Sequence, residues 1–211
     1  VTWICAGLYA EGPTDYRFLV ALLDNLLPQI ATEALPEIPI VGQTVAIDAR
    51  TPAPSSRAER IVAAIDSYRA ECNLFVVHAD ADNDPEAAVR DRIHPGLALA
   101  SQRWPDIALA TCVPVRAIEA WMLVDPDVFV TQIEQKTPPD LPRDPERVAD
   151  PKQVLAEVLA APFKRRAPNA SDYYEIFGSN VRLAELRRLP AFQRFEASLT
   201  EAVRVVARPS R

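Results

Sequence analysis

Leu74-Phe75-Val76-Val77-His78-Ala79-Asp80-Ala81-Asp82 decides the fold. Four apolar residues run straight into two carboxylates spaced i, i+2. An unbroken apolar run suits a strand buried on both faces, as in a parallel sheet covered by helices. In such sheets ligands collect beyond the carboxyl ends of the strands, where Asp80 and Asp82 stand. Side chains at i and i+2 of a strand share a face. Like charges held that close repel unless something positive lies between them. Hard oxygen ligands at this spacing suit Mg²⁺ or Mn²⁺. An isolated Asp-x-Asp in a solvated loop is the commoner occurrence, so the flanking sequence must decide.

Upstream, Trp3 to Ala10 is predicted as a first strand, ending at Glu11-Gly12-Pro13-Thr14-Asp15. Gly12 and Pro13 break the strand, and Thr14 or Asp15 can cap the helix that follows. From Tyr16 to about Ala34 the spacing of Phe18, Leu19, Leu22, Leu23, Leu26, Leu27 and Ile30 is helical. Ile40 to Ile47 reads as a second strand. Ser55-Ser56 opens a helix to roughly Arg69. The central strand is expected over Asn73–Asp82, followed by a helix begun at Asn83-Asp84-Pro85 and broken near Pro95-Gly96. Ile107 to Val113 is the fourth strand. Strands alternating with helices specify an α/β domain with a mainly parallel sheet. Downstream, Arg116 opens a short helix bearing Glu119, which sits just past a strand end where a further ligand or general base would stand. Thr137 to Pro151 is rich in Pro and Asp and reads as a linker. The remainder is helical, over Lys152–Ala160, Asp172–Phe177 and Val181–Leu189 with Gly178 as a break, and in a final helix begun at Pro190. The predicted organisation is therefore a core over 1–136, a linker over 137–151 and a helical extension over 152–211.

The chain has 211 residues, 49% of them apolar, enough for a real core. Its net charge of −6 argues against a generic nucleic-acid coat. The charge is uneven: residues 1–139 hold ten Lys and Arg against nineteen Asp and Glu, and residues 140–211 hold thirteen against ten. Cys5, Cys72 and Cys112 are dispersed in apolar runs, which suits buried thiols in a reducing compartment rather than a disulfide framework or zinc site. No apolar run approaches a membrane span, and the first residues carry no basic signal region. The expected setting is cytoplasmic, with no membrane.

In a parallel sheet the ends of the first and central strands open on one edge, so Glu11, Asp80 and Asp82 can close around a divalent cation. Asp84 and Glu119 can serve a second ion. Carboxylate sites of this kind run phosphoryl chemistry by orienting water and stabilising the leaving oxygen.

Ala10-Glu11-Gly12-Pro13-Thr14-Asp15-Tyr16-Arg17-Phe18-Leu19 resembles the Glu-Gly-x-x-Asp-x-x-Phe-Leu motif of Toprim domains of the OLD-nuclease type. His78-Ala79-Asp80-Ala81-Asp82 resembles the Toprim Asp-x-Asp motif. The Glu119-Ala120-Trp121-Met122-Leu123-Val124-Asp125 segment and the helical tail are similar to a stand-alone prokaryotic Toprim-like family often encoded beside an ATPase. The resemblance implies a Rossmann-like Toprim core with an appended helical region. It implies Glu11 as metal ligand or general acid/base, Asp80 and Asp82 as Mg²⁺ (or Mn²⁺) ligands, Gly12 as a close approach to phosphate and Glu119 as an accessory acid. The chain lacks room for a topoisomerase's nucleophilic Tyr domain or a primase's template domains, which leaves hydrolysis.

The leading expectation is a Mg²⁺-dependent nuclease cutting DNA or RNA. Lys164, Arg165 and Arg166 form the densest basic run and are the expected nucleic-acid contact, with arginines 182, 187 and 188 as further candidates. The alternative is a non-catalytic or partner-activated subunit of an ATPase complex, for which a role in phage defence rests on analogy. A phosphatase or phosphotransferase of another α/β type ranks last, because no Gly-x-x-x-x-Gly-Lys phosphate loop occurs.

Overall fold

The computed structural model describes residues 1–48, 56–133, 135–162 and 169–208. Its centre is a four-stranded parallel sheet in the order β4-β2-β5-β6, made of β2 (Ala6–Tyr9), β4 (Val45–Ala46), β5 (Leu74–His78) and β6 (Ala108–Cys112). A separate parallel pair joins β1 (Trp3–Ile4) to β3 (Ile40–Val41). Both long strand expectations are therefore divided. Cys5 interrupts the first, because its N–H turns to the Asn73 side chain at 2.9 Å. In the second, β3 and β4 pair with different partners.

Helices cover both faces of the sheet. On one lie α1 (Pro13–Ala34) and the helices α8 (Tyr174–Asn180) and α10 (Pro190–Val206). Their core takes in Ala6 and Leu8 of β2, Leu74 and Val76 of β5, and Trp121, Phe192 and Phe195. On the other lie α2 (Arg57–Tyr68) and α4 (His94–Arg103), packed on Tyr9, Phe75 and Val77. The alternation along β5 is the two-residue strand period acting on a doubly covered strand, so an unbroken apolar run serves two cores at once. The helices of 152–211 share the first core: α8 packs along α1, and α10 lies on β6. The closest approach falls at Gly178, where an added Cβ would lie 2.3 Å from the Phe18 carbonyl oxygen. Gly178 thus lies inside α8 and admits α1, rather than marking a break between helices.

Several prolines start helices. Pro13, Pro126, Pro151 and Pro190 are the first residues of α1, α6 (Pro126–Thr131), α7 (Pro151–Ala160) and α10. That position suits a residue without an N–H and with φ already helical. Ser56 caps α2 by accepting from the Glu59 N–H, while the Glu59 carboxylate reaches back to the Ser56 N–H. The predicted break near Pro95 takes another form. α3 (Pro85–Ala87) runs into a π-helical turn at Ala88–Ile93 and then into α4. Pro95 cannot donate to a carbonyl four residues back, and the His94 N–H bonds instead to Val89.

The first strand of the sheet, β2, is followed by β4 on one side and by β5 on the other. The chain therefore reverses direction across the sheet between β2 and β5. A crevice at their carboxyl ends is the expected ligand position in such a sheet. Among the described residues, no helix is long and apolar enough to cross a membrane.

Candidate functional site

Two shells of charge meet at the reversal point. The outer one is built from arginines. Glu11, two residues past β2, takes Arg57 on Oε1 at 2.9 Å and lies 3.8 Å from Arg92. Arg57 also donates to the His78 carbonyl at 2.7 Å and to the Arg92 carbonyl at 2.9 Å. Arg92, in the π-helical turn, donates to the Asp80 carbonyl at 2.8 Å and to the Asp82 carboxylate at 2.6 Å. The positive charge that the carboxylates require thus comes from two guanidinium groups. Asp82 does not share a face with Asp80. Strand β5 stops at His78, and Asp82 and Asn83 take φ of 49° and 82°, the left-handed region that turns the chain outward. The i, i+2 rule holds only while the backbone is extended, so it carries Asp80 but not Asp82. Asp84 accepts the Ala87 N–H at 2.9 Å and caps α3.

The inner shell is buried. His78 is wholly enclosed and donates through Nδ1 to the Cys112 carbonyl, 3.1 Å away. Burial pushes its pKa down to about 4, so the ring is neutral near pH 7. Its Nε2 is then an acceptor, facing Asp15 Oδ2 at 3.6 Å and Asp80 Oδ1 at 3.5 Å. Burial, reinforced by Asp15, raises the Asp80 carboxyl to about 7. Asp15 and Glu119 are raised as well, again chiefly by burial. Glu119 belongs to α5 (Glu119–Met122) and accepts the Tyr174 hydroxyl on Oε1. Lys152, at the start of α7, places Nζ 3.9 Å from Asp80 Oδ2, and its charge acts on Asp15, Asp80 and Glu119 alike.

His78 Nε2, Asp80 Oδ1 and Glu119 Oε2 are buried without a hydrogen-bond partner. Buried acceptors of this kind are costly unless a proton or a cation stands between them. The raised pKa values express the proton solution. A hard divalent cation is the other, and carboxylate oxygens suit it. Among the described residues, no three His, Cys, Asp or Glu side chains are grouped as a ready-made metal centre. The donor chemistry at Asp80 and Glu119 fits a cation, then, while the side-chain positions are those of the proton-filled state.

Comparison of the chain with protein-family models, curated proteins and solved structures gives no match. The chemistry must be read from the side chains themselves.

The expected acids divide. Asp80 and Glu119 meet in the inner shell, Glu11 and Asp82 are joined through Arg92, and Asp84 turns to its own helix. Lys164, Arg165 and Arg166 lie outside the described residues. Arginines 182, 187 and 188 are committed to carboxylates: Arg182 to Asp125 at 2.7 Å, Arg187 to Glu196 at 2.8 Å and Arg188 to Glu185 at 2.7 Å. Sequence reading gave Asp15 the role of helix cap, and it does accept the Gly12 N–H at 2.9 Å. Its second role, facing His78, follows only from the fold. Arg57, Arg92, Lys152 and Tyr174 had no local signal, because each reaches the site from a separate segment.

Proposed function

We propose that this chain is a metal-dependent phosphodiesterase acting on nucleic acid, with a Toprim-like core. The observation that carries the reading is the buried Asp15 and Glu119 with the partly buried Asp80 at the crevice between β2 and β5, Asp80 being raised to about 7. Glu11 and Asp80 each stand two residues past a strand end, of β2 and β5, while Asp82 turns outward to Arg92. A bound Mg²⁺ or Mn²⁺ would supply a Lewis acid that polarises the phosphoryl oxygen and lowers the pKa of water. Asp80 and Glu119 are the side chains that would hold it, with Asp15 beside them.

The chain's own groups supply the rest. With the cation bound, Asp80 would be held ionised as its ligand, which leaves Asp15 beside it to accept and return a proton. Arg57 and Arg92 present guanidinium groups at the mouth of the crevice, the geometry suited to phosphate oxygens. Glu11 holds both arginines in place and gives them up to a phosphate or a cation. Lys152, with an exposed side chain, adds positive charge beside Asp80 where a leaving oxygen develops charge. The basic run Lys164-Arg165-Arg166 adds backbone affinity for DNA or RNA.

One observation favours a partner-activated form of the same site. Arg92 is spent on Glu11, Asp82 and the Asp80 carbonyl, so the crevice is closed by its own ion pairs. An ATPase partner that shifts the π-helical turn would release Arg92 to the substrate. The test is Mn²⁺-dependent cleavage of labelled DNA and RNA by wild type and by Asp80→Asn, alone and with the product of an adjacent ATPase gene. Cleavage lost in Asp80→Asn supports the reading. Equal cleavage by both proteins, or none under any condition, removes it.

A further inference from the structure

A cavity of about 790 Å³ opens beside the arginine shell, between the π-helical turn and α10. Its size lies in the roughly 300–1,000 Å³ class of small-molecule sites. Val89, Val113 and Phe195 line it with apolar surface, and Asn83, His94 and Arg194 bring polar groups to it. The carboxylates of Asp84 and Glu86 also line it, so an anionic group of a ligand must lie toward Arg194 and the ligand's neutral part toward them. Two features connect it to the acid site. Val89 and Arg92 belong to one π-helical turn, so a single element carries both the wall of the cavity and the guanidinium on Asp80 and Asp82. Asn83 follows Asp82 directly, and its N–H is fixed to the Val115 carbonyl at 2.8 Å.

The polar side chains keep hydrogen-bonding capacity for a ligand, although the Arg194 charge also acts on the buried Glu146 carboxylate. Among the described residues, neither the Asn83 carboxamide nor the Arg194 guanidinium has a hydrogen bond or ion pair, whereas Arg90 nearby is held by Asp91 at 2.8 Å. Asn83 keeps φ at 82°, a conformation unusual for a residue with a side chain. A carboxamide offers both a donor and an acceptor, which matches the edge of a base. Apolar walls for a flat ring, an amide for its edge and a cation with no hydrogen-bond partner together suit a nucleotide.

Building on the phosphodiesterase reading, we infer that this cavity takes the nucleobase adjoining the scissile phosphate. Asn83 reads the base edge, and Arg194 meets the next phosphate. The π-helical turn links occupation of the cavity to the position of Arg92. This makes Asn83 a specificity residue and Arg194 a binding residue.

The test separates the two readings by measuring binding without metal. The full chain in EDTA is titrated calorimetrically with AMP, GMP, CMP, UMP and ribose 5-phosphate. The four nucleotides are expected to bind about tenfold or more tighter than ribose 5-phosphate. Arg194→Gln should weaken all five ligands. Asn83→Gly, which suits the left-handed backbone, should change the order of the four nucleotides and leave ribose 5-phosphate unchanged. Unaltered thermal melts of both variants confirm the fold. Equal binding of nucleotides and ribose 5-phosphate, no binding of any, or wild-type behaviour of both variants overturns the cavity assignment. If cleavage with Mn²⁺ is found alongside any of these results, only the cavity assignment falls. Base-dependent binding with no cleavage, alone or with the ATPase partner, supports the cavity and removes the nuclease reading.

Discussion

His78 donates through Nδ1 to the Cys112 carbonyl and turns Nε2 toward Asp80 Oδ1, 3.5 Å away. The backbone of β6 thereby sets the tautomer of a buried ring on β5 and decides that the ring shows Asp80 a lone pair. Burial, reinforced by the Asp15 charge, raises the Asp80 carboxyl to about 7, and the protonated acid faces that lone pair.

That proton has a consequence for stability. Asp80 is raised from 3.8 to about 7 on folding, so the folded state binds the proton more tightly. The stabilisation is fully present below about pH 4 and is lost as pH rises to about 7, with a slope of up to about 1.4 kcal/mol per pH unit. Asp15 and Glu119 act in the same sense. Asp80→Asn should therefore gain on the order of 1–3 kcal/mol over wild type at pH 8 and little at pH 4. Urea unfolding at both pH values checks this. Parallel changes in the two proteins would remove Asp80 as the source.

Glu11→Gln tests the outer shell. Glu11 is half-buried against Arg57, so losing its charge should cost about 1 kcal/mol and leave the fold intact. Metal-dependent cleavage should fall by at least about a hundredfold, as when an electrostatic or acid–base group is removed. A folded Glu11→Gln protein with full activity would make the Glu11–Arg57 pair architectural.

Arg182 is expected to be structural. Asp125 is 1% exposed and accepts the Arg182 N–H at 3.0 Å, Nε at 2.9 Å and Nη2 at 2.7 Å. Burial alone would push the Asp125 carboxyl up, but these bonds, with the Asp127 N–H, outweigh it and hold it low. Its contribution is present above pH 4 and is lost as pH falls through the depressed value. Arg182→Ala leaves a buried carboxylate uncompensated and should cost about 3 kcal/mol near neutrality. Nucleic-acid affinity and its salt dependence should not change, and a shallower salt slope would return Arg182 to the substrate.

Gly178→Ala tests the seam between α1 and α8. A Cβ 2.3 Å from the Phe18 carbonyl forces the helices apart, and overpacking of this kind costs about 1–3 kcal/mol or more. Thermal unfolding should shift down accordingly. An unchanged melt would show that α8 can move from α1 freely.

The sheet and its helices were legible in sequence because hydrophobic period is a local property. Leu74 to Val77 announced a doubly covered strand, and the spacing from Phe18 to Ile30 announced α1. Asp80 was legible for the same reason, standing two residues past a strand end. Asp82 was misread because two consecutive left-handed residues leave no clear trace in composition when they are Asp and Asn rather than Gly. Gly178 was misread as a break because a glycine in a helix for close packing looks the same as one that ends it. The arginines and Lys152 were not legible at all. Their roles arise from contacts between segments tens of residues apart, which no local pattern encodes.

In the proposed function the inner acids would hold a cation, with Asp80 as its main ligand. Calorimetric titration of Mn²⁺ into wild type, Asp80→Asn and Asp82→Asn at pH 8 tests it most directly. Saturable binding is expected for wild type and for Asp82→Asn, and none for Asp80→Asn. Binding by Asp80→Asn equal to wild type, or no binding by wild type, would contradict the claim.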